Sequence, residues 1–310
     1  MNRKNKGLVR HIHPPYVVAG KCGGFTLMEL LITLAIISLL VGLLLPALSA
    51  VRKAAREAKQ HAQITTLELA ISAFKNDYGD YPPSMWSGQP NKRYCGSQQL
   101  SEALLGWDLM GFHPDSQWWP DGHSKDGTYF FYDPSSAVDM EKRKGPYLEL
   151  ATTNAFRLGN STLGNGLFDT TGLVAPEPFV ICDVFGVKKI ILATGKTAIA
   201  GTPILYYKAN TSSKNITDLN FDNRIYSFYD NDQLVLLRRL ADWAKPLAQR
   251  RPHKLEEPAP SPALVYFYEY IQDLKVTAVP WPYRPDSYIL ISAGADGFYG
   301  TDDDIRNFGD

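Results

Sequence analysis

Between Leu30 and Leu48 the chain carries a nineteen-residue run of Leu, Ile, Val, Ala and Gly, broken only by Thr33, Ser38 and Pro46. Coiled as a helix at about 1.5 Å per residue, the run is roughly 28 Å long, enough to cross the hydrocarbon core of a bilayer. A cleaved secretory signal would have a shorter apolar core, about 7–15 residues, with a small-x-small site after it. Ahead of the run, residues 1–24 hold Arg3, Lys4, Lys6, Arg10 and Lys21 and no acid. Such a leader stays on the cytoplasmic side and sends the bulk of the chain across. One carboxylate, Glu29, stands at the head of the apolar segment. An ionised group there costs on the order of a few kcal/mol unless paired, so a plain anchor would not carry it.

A cut between Gly24 and Phe25 would create an amine four residues from Glu29, one helical turn away. Between axially staggered subunits, Glu29 of one chain could neutralise the Phe25 amine of the next, a charge-based device for setting register. The segment Gly24-Phe25-Thr26-Leu27-Met28-Glu29-Leu30-Leu31 resembles the processing site of type IV pilins and type II secretion pseudopilins. The resemblance implies that a prepilin peptidase cuts after Gly24 and methylates Phe25, and that Glu29 is the assembly carboxylate. The cut lies before the apolar run, so the helix stays with the mature chain.

After the run the chain turns polar, and Ile64, Leu67, Ile71 and Phe74 recur at spacings of three, four and three. That is one apolar stripe at helical period, and it predicts a helix laid on a sheet. Pro46 removes one backbone hydrogen bond and predicts a kinked or loosened helix there. A dense turn signal, Asn76 to Pro83, predicts where the helix ends. The stretch Glu68–Pro83, with its Tyr81-Pro82, resembles the helix end of major pseudopilins. Residues 100–110 suggest one amphipathic helix, and Gly159 to Gly172 an exposed loop. Residues 179–184, 188–193, 204–209 and 288–292 read as strands. Residues 234–249 show a helical pattern, and Pro252 to Pro262 reads as a surface linker. His113, Asp115, Asp121 and His123 are metal-competent types at close range but read as turn residues.

Removing the leader leaves 27 basic against 32 acidic residues, a formal −5, with no basic stripe to suit nucleic acid. Of the three cysteines, Cys22 lies in the leader; Cys95 and Cys182 remain in a compartment that permits a disulfide, and spacing alone leaves that bridge open. No nucleophile–base set stands out, so an enzyme is not expected.

The chain closes with Ser292-Ala293-Gly294-Ala295-Asp296-Gly297-Phe298-Tyr299-Gly300-Thr301-Asp302-Asp303-Asp304-Ile305-Arg306-Asn307 and three further residues. Four carboxylates within nine residues repel one another, and gathering them is expensive unless a cation neutralises them. Oxygen donors of this kind suit Ca²⁺, although the spacing is not that of an EF-hand, and an Asx-rich turn of solvated acids is the alternative. Ser-x-Gly-x-Asp-Gly followed by Gly-Thr-Asp-Asp-Asp-Ile-x-Asn resembles the calcium loop of major pseudopilins. That resemblance implies Asp296, Asp303 and Asp304 as side-chain ligands, with the place of Asp302 open. Those pseudopilins are roughly half as long as this chain, and residues 84–283 are largely unmatched; within them Asp183-Val184-Phe185-Gly186 and Pro203-Ile204-Leu205-Tyr206-Tyr207 faintly resemble a turn-and-strand pair of major pseudopilins, split here by an insertion.

The expected fold is α+β and pilin-like, with a long N-terminal helix packed on an antiparallel sheet and a large inserted region. The expected layout is a leader (1–24), a membrane and assembly helix (25–50), and a periplasmic globular part (51–310) with the acidic loop at 292–307. The expected function is a structural subunit of a type II secretion pseudopilus held in the inner membrane before assembly. Its partners would be the prepilin peptidase, other copies of itself, minor pseudopilins and the inner-membrane assembly platform, with no nucleic acid. A type IV pilin serving adhesion, motility or DNA uptake, and a membrane-anchored binding protein that does not polymerise, are the alternatives.

Overall fold

A computed structural model describes residues 24–192, 194–218, 220, 223–258 and 265–309. The leader up to residue 23, with Cys22, lies outside the described residues. The chain divides into two compact units, one ending at Arg52 and one running from Lys53 to Asp310.

Helix α1 spans Leu27–Tyr78 and continues through Pro46. The missing proline N–H costs one bond to the Gly42 carbonyl, but the helix is not interrupted there. In the first unit every residue from Phe25 to Val51 is exposed, and this part is long and apolar enough to cross a membrane. Its few hydroxyl side chains bond back to the preceding turn. Thr33 Oγ1 donates to the Leu30 carbonyl at 2.9 Å, Ser38 Oγ to Leu34 at 2.6 Å and Ser49 Oγ to Pro46 at 2.7 Å. These three hydroxyls do not depend on water, as an apolar surrounding demands.

In the second unit the stripe behaves as its spacing predicts. Ile64, Leu67, Ala70, Ile71 and Phe74 are buried, while Leu69 on the other side is exposed. The helix ends at Gly79, whose φ of +84° and N–H to the Lys75 carbonyl (2.7 Å) form a left-handed C-terminal cap. The following Tyr81-Pro82 is pinned to the rest of the unit. Tyr206 donates its hydroxyl to the Pro82 carbonyl at 2.6 Å, and Tyr81 packs edge-on against Tyr288 with ring centroids 5.0 Å apart.

The inserted region begins with short elements. They are β1 (Ser87–Gln89) with β2 (Lys92–Tyr94), α2 (Gly96–Leu105), α3 (Ala137–Lys142), β3 (Ala155–Arg157) with β4 (Phe179–Ile181), and β5 (Lys188–Ile191) with β6 (Thr197–Ala200). The sheet under α1 is built from the next three strands. Strand β7 (Leu205–Lys208) pairs antiparallel with β8 (Tyr288–Ser292) in the register Leu205↔Ile291 to Lys208↔Tyr288, and β9 (Ile305–Arg306) lies antiparallel on the far side of β8. Two short helices, α4 (Asp232–Val235) and α5 (Phe267–Tyr270), sit between β7 and β8 in the chain.

Alternation along the sheet sends its residues to two different cores. Tyr206, Tyr288, Leu290 and Ile305 meet the α1 stripe and the apolar residues of α2. Leu205, Tyr207, Ile289 and Ile291 meet a second core built by the insertion, with Leu158, Phe168, Val180, Leu240, Leu255 and Phe267. Strand β8 is therefore buried at every position, which explains its apolar run from Tyr288 to Ile291.

Several local expectations are corrected. Helix α2 begins at Gly96 and ends at Leu105, and it is buried on all sides rather than amphipathic. Within 159–172, Leu167 and Phe168 are core residues, so the segment is not simply an exposed loop. Residues 234–249 form short separate turns, not one helix. Of the expected linker, residues 259–262 lie outside the described residues, and the part before them is anchored: His253 is 1% and Leu255 0% exposed.

Replacing Leu67 with Ala should lower unfolding stability by about 2–5 kcal/mol, the usual cost of emptying a packed leucine site. Leu69→Ala should change it by no more than about 0.5 kcal/mol. Urea unfolding of the full chain in detergent, followed by near-ultraviolet circular dichroism, measures both.

Candidate functional site

The N-terminal site begins where the helix begins. Thr26 N–H and Oγ1 both point to Glu29 Oε2, at 3.2 and 3.1 Å, and Glu29 N–H donates to Thr26 Oγ1 at 3.2 Å. This is a reciprocal capping box in which Thr26 caps the helix and the Glu29 carboxylate turns back over the first turn. Gly24 and Phe25 are exposed just before it, and nothing lies within 4 Å of where a Cβ on Gly24 would be. Sequence reasoning tied Glu29 to the Phe25 amine that cleavage creates. In the uncut chain its carboxylate already serves the helix N-terminus, whose partial positive charge favours it. The Thr-x-x-Glu spacing was the available signal for this.

The C-terminal site is the loop between β8 and β9. Gly294, Gly297 and Gly300 have φ values of +61°, +71° and +91°, the left-handed region that the expected tight turns require. A Cβ on Gly294 would sit 2.2 Å from the Asp303 carbonyl oxygen, so this position admits nothing larger. Asp296 Oδ1 accepts from Phe298 N–H at 2.7 Å, and Asp303 Oδ2 accepts from Asp296 N–H at 3.0 Å. Asp304 Oδ2 accepts from Gly300 N–H at 2.7 Å and from the Tyr270 hydroxyl at 2.5 Å. Asp302 is exposed.

Around Thr301 the acceptors outnumber the donor. Its hydroxyl lies 2.7 Å from Asp303 Oδ1, 3.5 Å from Asp304 Oδ1 and 3.2 Å from the Phe298 carbonyl, and it has one proton to give. Burial pushes the Asp296 carboxyl above its usual range, and the neighbouring Asp303 charge adds to that; burial holds Asp304 up at about 7. The donor chemistry is that of a hard cation, all oxygen. The arrangement is nonetheless that of a hydrogen-bonded loop. Among the described residues no group of three or more His, Cys, Asp or Glu side chains is placed to hold a metal ion.

Residues of the insertion clamp this loop, and sequence reasoning did not find them. Arg239 Nε donates to the Asp296 carbonyl at 2.7 Å, and its guanidinium lies 4.8 Å from the centre of the Phe298 ring, with that of Arg251 at 4.7 Å. Tyr299 N–H donates to Nδ1 of the buried His253 at 3.2 Å, and burial pushes that imidazole down to about 3, so it stays neutral and able to accept. Beyond the loop, Asn307 is a hub. Its Oδ1 accepts from Leu290 N–H at 2.8 Å, its Nδ2 donates to Glu68 Oε1 at 3.1 Å, and Arg284 bridges Glu68 and the Asn307 carbonyl at 2.5 and 2.9 Å. These bonds tie α1 to the end of the acidic loop.

Cys95 and Cys182 are both buried and free, so the bridge that spacing left open is not formed. Burial pushes the Cys95 thiol up to about 12 and raises Cys182 as well, so neither is a reactive thiolate. The four metal-competent residues between 113 and 123 stay turn and packing residues. His113 Nε2 lies 3.3 Å from Asp139, Asp115 meets Lys142 at 3.0 Å, and Asp121 accepts from His123 N–H at 3.0 Å.

Asp242 holds the clamp in place. Its carboxylate meets Lys245 at 2.8 Å, Arg251 at 3.1 Å and Arg239 at 3.8 Å. The Lys245 hydrogen bond, with help from Arg251 and against the cost of burial, brings its carboxyl down to about 2. A depressed folded value means stabilisation that is present above about pH 4 and lost as pH falls toward 2. The Tm of the native chain should therefore fall more steeply over that interval than the Tm of Asp242→Asn, as scanning calorimetry at stepped pH would record.

No curated protein and no solved structure matches the chain. Residues 20–45 match the family described as the prokaryotic N-terminal methylation motif. That match spans Gly24, Phe25, Thr26 and Glu29, the residues of the capped helix start. The N-terminus is thus a prepilin-type motif, which supports a type IV pilin-like protein that a prepilin peptidase processes and a membrane holds.

Proposed function

We propose that this chain is a structural subunit of a type II secretion pseudopilus, stored in the inner membrane with its bulk in the periplasm and added to a periplasmic fibre that drives export. The observation that carries the reading is the apolar half of α1, exposed along its whole length and headed by the Thr26–Glu29 box. An apolar surface of that extent is suited first to lipid and then to a bundle of like helices. After the cut, the new Phe25 amine lies beside Thr26, and the Glu29 carboxylate is free to exchange its own capping bonds for the amine of a neighbouring copy. The role is structural, not catalytic. Its partners would be the peptidase, further copies, minor pseudopilins and the assembly platform.

The acidic loop favours a pseudopilus over a pilus. Asp296, Asp303 and Asp304, with the Thr301 hydroxyl, would hold Ca²⁺, which supplies the positive charge that these crowded oxygens lack. Asp303 and Asp304 would then release the Asp296 and Gly300 N–H groups from which they now accept.

Mass spectrometry of the mature protein should find a chain starting at Phe25 with one added methyl group. Glu29→Ala should leave processing intact and abolish crosslinks between copies. A Glu29→Ala chain that still assembles would sink the assembly role while leaving the processing site standing. For the loop, Ca²⁺ should raise the Tm of the full chain in detergent relative to chelator, and Asp303→Asn should remove that increase. An external fibre in cells, with export unaffected by deletion of the chain, would make it a pilin instead.

A further inference from the structure

The second unit contains a cavity of about 1220 Å³ that the pilin-like reading does not use. It lies where the end of α1, the start of the β1–β2 hairpin, the end of β7 and the segments before α4 and β8 come together. Its volume exceeds the roughly 300–1,000 Å³ of ordinary small-molecule pockets, so it has room for more than one ring.

Two aromatic side chains on its wall are open to solvent, Trp86 at 37% and Tyr229 at 36% exposed. The Trp86 ring is steadied by the Arg93 guanidinium, 4.6 Å from its centre, and Arg93 in turn lies 3.7 Å from Asp232. Lys208 meets Asp80 at 2.5 Å, and the Asp230 carboxylate accepts from the Ser84 hydroxyl at 2.5 Å. These charged groups are therefore held by partners of their own. Among the described residues, four cationic and four acidic side chains line the cavity, so their formal charges balance.

That balance is wrong for nucleic acid or another polyanion, which needs a cationic surface. A wall that carries this many charged side chains is wrong for a lipid chain. What fits is a neutral ligand with flat apolar faces and hydroxyls that both give and accept hydrogen bonds. A sugar ring has that chemistry: its C–H face stacks on an indole or phenol, and its hydroxyls meet fixed carboxylates, amides and guanidinium groups. Side chains already locked by their own ion pairs bind with less loss of conformational freedom. We propose that this cavity is a binding site for a neutral oligosaccharide, with Trp86 and Tyr229 as its stacking platforms. The proposal is independent of whether the fibre is a pseudopilus or a pilus.

The test is titration calorimetry on the full processed chain in a detergent without a sugar headgroup, using chitotetraose, cellotetraose and maltotetraose. At least one should bind. Preference for chitotetraose would point to N-acetylated glycan such as the cell wall contains; preference for either glucan would point to an unacetylated polysaccharide. Trp86→Ala and Tyr229→Ala should each weaken binding at least tenfold with unchanged Tm, and Trp86→Tyr should recover most of the loss. Should Trp86→Ala fail to fold, Tyr229→Ala and Trp86→Tyr still decide. The proposal is overturned if none of the three oligosaccharides binds, if the alanine variants bind as tightly as the native chain, or if only an unfolded polypeptide such as reduced, alkylated lactalbumin is bound.

Discussion

Everything in the second unit leans on one strand that never meets water. Strand β8 places Tyr288 and Leu290 under the α1 stripe and Ile289 and Ile291 under the core of the insertion. Its backbone is paired on both sides, by β7 and by β9. Each fully buried Leu, Ile or Phe side chain contributes about 1.5–3 kcal/mol, so the two cores are large terms that both act through this five-residue element. The acidic loop leaves from its end, and the Asn307 hub closes back onto its Leu290 amide. The loop is accordingly anchored to a strand that is buried at every position.

The first unit obeys a different solvent. Its side chains are apolar and exposed, its hydroxyls are satisfied within the helix, and its one carboxylate in the apolar half is committed to Thr26. The physical rule is that of a medium without water, where each polar group must find its partner locally. Glu29 meets that rule in the precursor through the capping box. A mature chain has to meet it again with a positively charged amine nearby.

The parts legible in the sequence were those with a short-range period or a local geometric demand. The spacing of Ile64, Leu67, Ile71 and Phe74 revealed the helix face, the Tyr288–Ser292 run a strand, and Gly294, Gly297 and Gly300 a tightly wound loop. Glu29 drew notice because a membrane-length helix makes any charge beside it conspicuous. The clamp on the acidic loop was not readable. Arg239, His253 and Tyr270 reach it from 57, 46 and 34 residues away in the chain, and no periodicity encodes such meetings. Residues 234–249 misled for the opposite reason: their apolar positions do recur at helical spacing, but they fill the second core through separate short turns. Leu255 was hidden by the prolines around it, which suggested a linker although Leu255 and His253 are buried.

The position of β7 has a consequence for how separable the parts are. A long insertion at a loop tip can be excised and the ends rejoined, because the host keeps all its pairings. Here the insertion supplies the neighbour of β8 and most of the cover of one sheet face, with Tyr299 and Phe308 adding the rest. Removing residues 84–283 would leave a two-stranded ribbon with a bare apolar face and an open edge, the kind of surface that recruits other chains indiscriminately. The extra length is thus part of the minimal folding unit, and a shortened version of this protein is a different design problem, not a trimmed one.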